Sequence, residues 1–193
     1  MGKIFYVMGK SATGKDTIYA KLLDKLDLKR IIPYTTRPIR DGESSGREYH
    51  FCTEEDVVRL EEEGRIVELR TYQTVYGPWK YFTVDDGNIR LDQESYLLIG
   101  TLEAYTKMRD YFGEEQVVSI YVEVEDGERL LRAIAREKEQ ESPKYEEMCR
   151  RFLADAKDFS EQNLKAAGIE KRFINRQLED TLAEIEQYIQ SQR

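Results

Sequence analysis

The feature that most constrains this chain is a glycine-rich loop close to its N-terminus. Residues Ile4 to Met8 form a short, continuous apolar run, which predicts a buried strand. The next seven residues, Gly9 to Lys15, match the pattern GxxxxGK. Apolar residues then recur every four positions, which predicts a helix from about Lys15 to Leu26. A strand, a glycine loop and a helix in this order are the context in which such a loop binds phosphate.

The residue types in this loop suit that role. Glycine lets the backbone curl so that its N–H groups point at phosphate oxygens, and the following helix adds the positive end of its dipole. Lys15 would then reach the β and γ phosphates of a nucleoside triphosphate. The next position is Asp16, where Ser or Thr normally supplies a hydroxyl to Mg²⁺. A carboxylate at Asp16 could hold Mg²⁺ directly or through water, and Thr17 is the alternative ligand.

Further apolar runs alternate with helical patterns along the chain. Strands are predicted at Tyr96–Ile99, Val117–Val124 and Arg172–Ile174, and helices at about 102–112 and 178–189. Strands that alternate with helices indicate an α/β fold with a mainly parallel sheet, here a three-layer core.

Two segments interrupt this alternation. Residues 34–82 carry turn signals and many aromatic residues, with one helix whose start at Thr53 and Asp56 resembles a capping box. Residues 126–159 are highly charged and predict two helices, because Ser142-Pro143 disfavours a continuous one. We therefore expect a single domain with an inserted lobe at 34–82, a surface helical hairpin at 126–159, and a core made of 1–33, 83–125 and 160–193.

Composition excludes several classes of function. The 30 Lys and Arg residues against 38 Asp and Glu give a net charge of −8, which argues against a nucleic-acid binder but not against a small anion held by local arginines. Two distant cysteines and one histidine, His50, argue against a disulfide scaffold, a zinc site and a histidine-activated nucleophile. The apolar runs are too short to span a membrane, and the N-terminus lacks a signal-peptide pattern. These features predict a soluble cytoplasmic protein, and they leave its oligomeric state open.

The most selective segment runs from Thr35 to Phe51. Arg37 and Arg40 precede a turn and an aromatic hydroxyl, an arrangement typical of an anion clamp, because arginine binds phosphate with two parallel hydrogen bonds. The pattern TTRPxRxGExxGxxYxF, downstream of the glycine loop, resembles the guanylate kinase family. The order of the later segments is similar over nearly the whole chain.

This resemblance implies an acceptor site for GMP in the inserted lobe. Arg37, Arg40, Tyr49 and Tyr76 match residues that grip the acceptor phosphate, and Glu43 matches an acidic residue beside it. Glu68 matches the glutamate that accepts hydrogen bonds from guanine N1–H and the 2-amino group. The implied GMP-binding residues are Tyr34, Arg37, Arg40, Glu43, Tyr49, Glu68 and Tyr76.

The resemblance also implies a donor site for ATP with Mg²⁺, and small-molecule nucleotides rather than nucleic acid or membrane as partners. Arg129, Arg132 and Arg136 share one helix face, and ion pairs with nearby glutamates are the other explanation for them. The residues implied in catalysis are Lys15, Arg132, Arg136 and Arg151, with Arg150 as the alternative to Arg151. Those implied in ATP binding are Gly9, Ser11, Ala12, Thr13, Gly14, Lys15, Asp16, Thr17 and Asn175, the last beside adenine.

Four departures from the family pattern bear on base specificity before they bear on phosphoryl transfer. Tyr34 and Pro78 stand where the family has hydroxyl residues near the base, and the spacing from Glu68 to Tyr76 is shorter than usual. The family's pair of carboxylates after the strand at 96–99 is missing around Gly100. These differences predict weakened guanine selectivity with phosphoryl transfer retained.

Two other functions fit parts of the sequence. The Gly-Lys-Asp-Thr end of the glycine loop also resembles ribose 1,5-bisphosphate phosphokinase, against which Glu43, Tyr49 and Glu68 suit a nucleotide acceptor. A non-catalytic guanylate-kinase-like binding module would explain the missing carboxylates, but it has little reason to keep Gly14 and Lys15.

Overall fold

The computed structural model describes residues 1–74 and 76–193. In chain order its elements are β1 (Ile4–Met8), α1 (Lys15–Lys25), β2 (Lys29–Arg30), β3 (Tyr34–Thr35), β4 (His50–Phe51), α2 (Glu54–Glu62), β5 (Ile66–Thr74), β6 (Gly77–Val84), β7 (Tyr96–Ile99), α3 (Leu102–Phe112), β8 (Val117–Glu123), α4 (Asp126–Lys138), α5 (Tyr145–Asp158), α6 (Glu161–Ala166), β9 (Arg172–Ile174) and α7 (Leu178–Gln192).

Five parallel strands form the central sheet, in the order β2-β7-β1-β8-β9. All five residues of β1 are buried, which explains its continuous apolar sequence. Alternate residues of β1 point to opposite faces of the sheet. Ile4, Tyr6 and Met8 pack with α3 and α6, whereas Phe5 and Val7 pack with α1 and α7. The predicted three-layer α/β fold is confirmed.

Residues 34–84 build a second sheet, in the order β4-β3-β6-β5, with α2 packed against it. The predicted capping box is confirmed, because Thr53 and Asp56 each accept a hydrogen bond from the other's backbone N–H. The antiparallel pairing of β5 with β6 shifts in register between Ile66 and Glu68. Such an irregularity redirects a side chain, and here it precedes a glutamate that is 3% exposed.

The charged segment forms the predicted helical hairpin, with α4 and α5 on either side of Ser142-Pro143. Two predicted boundaries move by one residue. The first helix ends at Lys25 rather than Leu26, whose backbone is extended, and the strand predicted to reach Val124 ends at Glu123. Among the described residues, no helix has the length and apolar character needed to cross a membrane.

The two cysteines differ in their surroundings, and we expect them to differ in reactivity. Cys52 is half-buried, its thiol donates to the carbonyl of Thr35 at 3.4 Å, and burial raises its pKa to about 11. Cys149 is exposed on α5. Because the thiolate is the nucleophile, Ellman's reagent at about pH 8 should modify Cys149 at least about tenfold faster than Cys52. A Cys149→Ser variant should lack the fast phase of the reaction with Ellman's reagent, which assigns that phase to Cys149. Equal reaction rates for the two cysteines in the native protein would contradict this expectation.

Candidate active site

The glycine loop connects β1 to α1 and ends in left-handed backbone. Ala12 has φ 63° and Gly14 has φ 84°, and Gly14 is the N-cap of α1. A Cβ atom at Gly14 would lie 2.6 Å from the Asn175 side-chain nitrogen, so only glycine fits there. Since glycine cannot cap the helix with a side chain, the first N–H groups of α1 are available to an anion.

Asn175 fixes the loop from behind. Its side chain is 4% exposed, and its Nδ2 donates to the carbonyl of Thr13 at 2.8 Å. The backbone carbonyl of Asn175 accepts a hydrogen bond from Arg132 Nη2 at 3.2 Å. Both residues line a cleft of ≈ 310 Å³ together with Glu125, Glu128 and Arg176. Asn175 therefore couples the end of β9 to the glycine loop and to the helical hairpin.

Lys15 and Asp16 lie together in the first turn of α1. Lys15 Nζ is 3.3 Å from Asp16 Oδ2, and the Asp16 side chain is 80% exposed. Within 1–74 and 76–193 no three His, Cys, Asp or Glu residues form a metal-binding group. Mg²⁺ commonly takes only one or two protein oxygens and completes its shell with phosphates and water. The exposed Asp16 carboxylate and the Thr17 hydroxyl, beside the phosphate loop, fit such a partial shell.

A fully buried arginine joins the helical hairpin to the glycine loop. Arg129 Nε and Nη2 donate to Asp126 Oδ1 at 3.1 and 3.0 Å, and Nη1 lies 3.3 Å from both the Ser11 carbonyl and Asp155 Oδ2. The Ser11 N–H donates to the same Asp155 oxygen at 2.7 Å. The guanidinium lies 3.9 Å from the centroid of the Phe152 ring. The network holds α4 and α5 against the loop.

Three other hairpin arginines pair with glutamates on their own helices. Arg132 bonds Glu128 at 3.0 Å, and Arg150 and Arg151 both bond Glu147, at 2.7 and 2.9 Å. Hydrogen bonds from Arg150 and then Arg151 lower the pKa of Glu147 to about 2. Exposed pairs of this kind add little stability, so these arginines can exchange partners at low cost.

A second group of charged residues lies in the inserted lobe. Arg37 is 4% exposed and pairs with Glu43 through two hydrogen bonds of 3.0 and 2.9 Å. The backbone N–H of Arg40 donates to Glu43 at 2.9 Å, and hydrogen bonds from Arg37 and then Arg40 lower the pKa of that carboxyl. The Arg37 guanidinium is 5.5 Å from the centroid of the Tyr49 ring. Arg37 is thus held by Glu43 beside the Tyr49 ring.

Next to this group, a cavity of ≈ 290 Å³ lies between the lobe and the carboxyl end of β7. Tyr49, Glu68 and Tyr6 line it, together with Leu98 and Ile99 of β7 and the following Gly100. Both Glu68 oxygens are bonded: Arg70 Nε and Nη2 donate at 2.9 and 3.2 Å, and Thr83 donates at 2.9 Å. A Cβ atom at Gly100 would overlap the Tyr6 hydroxyl, so no carboxylate can stand there.

The similarity to known proteins extends beyond the glycine loop, the Arg37–Glu43 pair and the adjoining cavity to nearly the whole chain. The guanylate kinase family model matches residues 1–192. The chain belongs to the guanylate kinase family.

Individual members of the guanylate kinase family are distant relatives. The guanylate kinase of Anaplasma phagocytophilum is 30% identical over 146 residues, 74% of this chain and 67% of that protein. Those of Thermotoga maritima and Alcanivorax borkumensis are 31% and 38% identical over 63% and 39% of this chain, and these alignments span 57% and 38% of their own lengths. A crystal structure of the Anaplasma phagocytophilum enzyme covers 98% of this chain and 85% of that one, with a TM-score of 0.69 and 22% identity, which shows a shared fold.

The structure brings only some of the residues expected from the guanylate kinase resemblance together. Glu68 and Tyr49 share the cavity, whereas Tyr34 lines a separate cavity, where its hydroxyl donates to Asp86 at 3.3 Å. Tyr76 is 80% exposed at the turn after β5 and stacks on Trp79. Arg40, Arg136 and Arg151 have exposed side chains. In this conformation, the phosphate grip that the guanylate kinase resemblance implies is only partly assembled.

The groups that complete the cavity were not predicted from the sequence. Arg70 and Glu68 are two positions apart on one strand, and this spacing could have predicted that they share a face. Thr83 and Tyr81, on β6, face the same cavity through strand pairing, which the sequence does not encode locally. The Arg129–Asp155 contact joins positions on different helices, and nothing in the charge pattern singled it out.

Proposed function

We propose that this protein transfers the γ-phosphoryl group of ATP to GMP, giving ADP and GDP. The observation that carries the proposal is the position of the cavity. It lies at the carboxyl end of β7, next to β1, whose own carboxyl end leads into the phosphate loop. Carboxyl ends of neighbouring parallel strands form one edge of a sheet, so donor and acceptor sites adjoin.

At the donor site, the loop N–H groups and Lys15 bind the ATP phosphates. Mg²⁺, held by Asp16 or Thr17, would offset phosphate charge in the transition state. Asn175 keeps the loop in its binding shape through the Thr13 carbonyl. Because the phosphates meet a preformed ring of donors, little reorganisation accompanies the reaction.

At the acceptor site, Arg37, Arg40, Tyr49 and Tyr76 bind the GMP phosphate, and Glu43 orients Arg37. This phosphate is already ionised at neutral pH, so the reaction needs alignment and charge neutralisation rather than a strong general base. A chain with one histidine satisfies this requirement. The base occupies the cavity with Glu68.

Closure completes the site in this proposal. Residues 34–82 act as the acceptor lobe, 126–159 as the lid, and the remaining segments as the core. Arg132, Arg136 and Arg151 move to the ATP phosphates, and two of them leave Glu128 and Glu147 to do so. Closure excludes water, which otherwise accepts the phosphoryl group.

A coupled assay of ADP formation from Mg-ATP tests the proposal. The acceptors are GMP, dGMP, IMP, AMP, CMP, UMP and ribose 1,5-bisphosphate, and we expect turnover with GMP. Transfer only to the sugar phosphate, or nucleotide binding without any turnover, would favour the two alternatives from the sequence. The relatives reported above are all named guanylate kinase and favour neither alternative.

Replacement of Arg37 by methionine tests the acceptor clamp. Loss of a charge-assisted phosphate contact should raise KM for GMP by about 10- to 100-fold, with KM for ATP nearly unchanged. Arg47→Met is the matched control, since Arg47 is exposed in the same lobe. Steady-state kinetics with each substrate varied measures both constants. An unchanged KM for GMP would remove Arg37 from the acceptor site.

A further inference from the structure

Glu68, the carboxylate expected to bind guanine, already accepts hydrogen bonds from other residues of the protein. Arg70 donates hydrogen bonds from Nε and Nη2 to the two carboxylate oxygens of Glu68, and the Thr83 hydroxyl donates to Oε1. The Glu68 and Arg70 side chains are 1% and 14% exposed, so this ion pair is buried at the edge of the cavity. A bidentate arginine occupies the two oxygens that guanine N1–H and the 2-amino group would otherwise reach.

Arg70 keeps donors that this pairing does not use. A guanidinium has five N–H groups, and the fork onto Glu68 takes two of them. Nη1 is 3.4 Å from the Thr101 hydroxyl, a long contact, and Nη1 and Nη2 together form a second two-donor edge. Arg70 itself lines the cavity. The base subsite therefore presents a guanidinium edge backed by a carboxylate, with no net charge.

We infer that Arg70 is a specificity-determining residue, which reads the base as a 6-oxopurine and makes the 2-amino group nearly irrelevant. This inference rests on the proposed function and names its substrate class: GMP and IMP. Arginine binds O6 and N7 of a 6-oxopurine with two hydrogen bonds. Adenine has an amino group in place of O6. This donor would face the N–H donors of Arg70, so no hydrogen bond can form there.

Arg70 and Tyr6 account for two of the departures noted in the sequence. Pro78 has neither a hydroxyl nor an N–H to offer O6, and Arg70 supplies donors in its place. Tyr6 fills the space at Gly100, directly after β7, so no carboxylate at this position can reach the cavity. Recognition has shifted from the edge with N1 and the 2-amino group towards the edge with O6 and N7.

The test compares kcat/KM and calorimetric Kd for GMP, IMP and AMP. For the wild-type protein, kcat/KM should agree within about threefold between GMP and IMP, and it should be at least about 100-fold lower for AMP. Arg70→Ala frees Glu68, so the GMP-to-IMP ratio should rise at least about tenfold, while GMP stays preferred over AMP because the freed carboxylate accepts from N1–H and the 2-amino group, which adenine lacks. Arg70→Lys keeps the neutralising charge without the two-donor edge and should retain the GMP-to-IMP ratio while losing discrimination against AMP. Arg59→Ala, on the exposed face of α2, should change neither ratio.

Several outcomes would overturn the inference. They are a wild-type preference for GMP over IMP above about 30-fold, or an unchanged ratio in folded Arg70→Ala. The wild-type ratio needs no variant, so it decides even if Arg70→Ala fails to fold. Equal binding of GMP and IMP without transfer to any acceptor would overturn the proposed function alone. Transfer with an Arg70-independent ratio would overturn the inference alone, and binding of neither nucleotide would overturn both.

Discussion

Replacement of Lys15 by methionine is expected to lower kcat for phosphoryl transfer by about 1,000-fold, the largest effect we predict on activity. Lys15 follows Gly14 at the start of α1, and its side chain is 19% exposed next to Asp16. A donor in a preorganised site stabilises transition-state charge without reorganising, and methionine keeps the length of the side chain while removing the charge. Binding of ATP should weaken less than turnover, because the loop N–H groups remain.

The measurement is ADP formation at saturating Mg-ATP and GMP, with ATP affinity measured separately by calorimetry. Lys21→Met is the matched control, since Lys21 lies on α1 with its ammonium on Glu179 at 3.0 Å, away from the loop. Lys15→Met with more than about a tenth of wild-type kcat would contradict the mechanism.

The largest effect on stability is expected at Arg129. Arg129→Met should lower the free energy of unfolding by about 3 kcal/mol, because it leaves the half-buried Asp155 carboxylate, 18% exposed in this structure, without its cation. The variant also removes the guanidinium from the Ser11 carbonyl, so the glycine loop loosens together with the hairpin. Urea denaturation followed by circular dichroism gives the midpoint and slope.

A double variant distinguishes the contribution of the Arg129–Asp155 ion pair from the cost of leaving one charge unpaired. Arg129→Met with Asp155→Ala removes both charges, and we expect at least about half of the lost stability to return, because replacing both partners avoids an unpaired group. The exposed Arg150→Met should change stability by less than about 0.5 kcal/mol. If the double variant is less stable than Arg129→Met, Asp155 contributes by its bond to the Ser11 N–H rather than by its charge.

Local patterns were sufficient for the secondary structure of the core. Continuous burial of β1 required an apolar run, and Gly14 with a four-residue apolar repeat marked the loop and helix. Ser142-Pro143 marked the break between the hairpin helices, since proline lacks a backbone N–H and clashes with the preceding turn in a helix interior. Each of these signals acts within a few residues, so no knowledge of distant contacts was needed.

The sequence by itself also determined the chemistry available at the site: a phosphate loop with Lys15, an arginine clamp at Arg37, and a glutamate at 68. Only the tertiary structure decided what those groups face. Glu68 meets Thr83 because β5 and β6 pair with a shifted register, and Tyr6 excludes side chains at Gly100 because β1 and β7 are neighbours. Register and strand order depend on packing over many residues, and a hydrogen bond between distant side chains leaves no local periodicity in the chain.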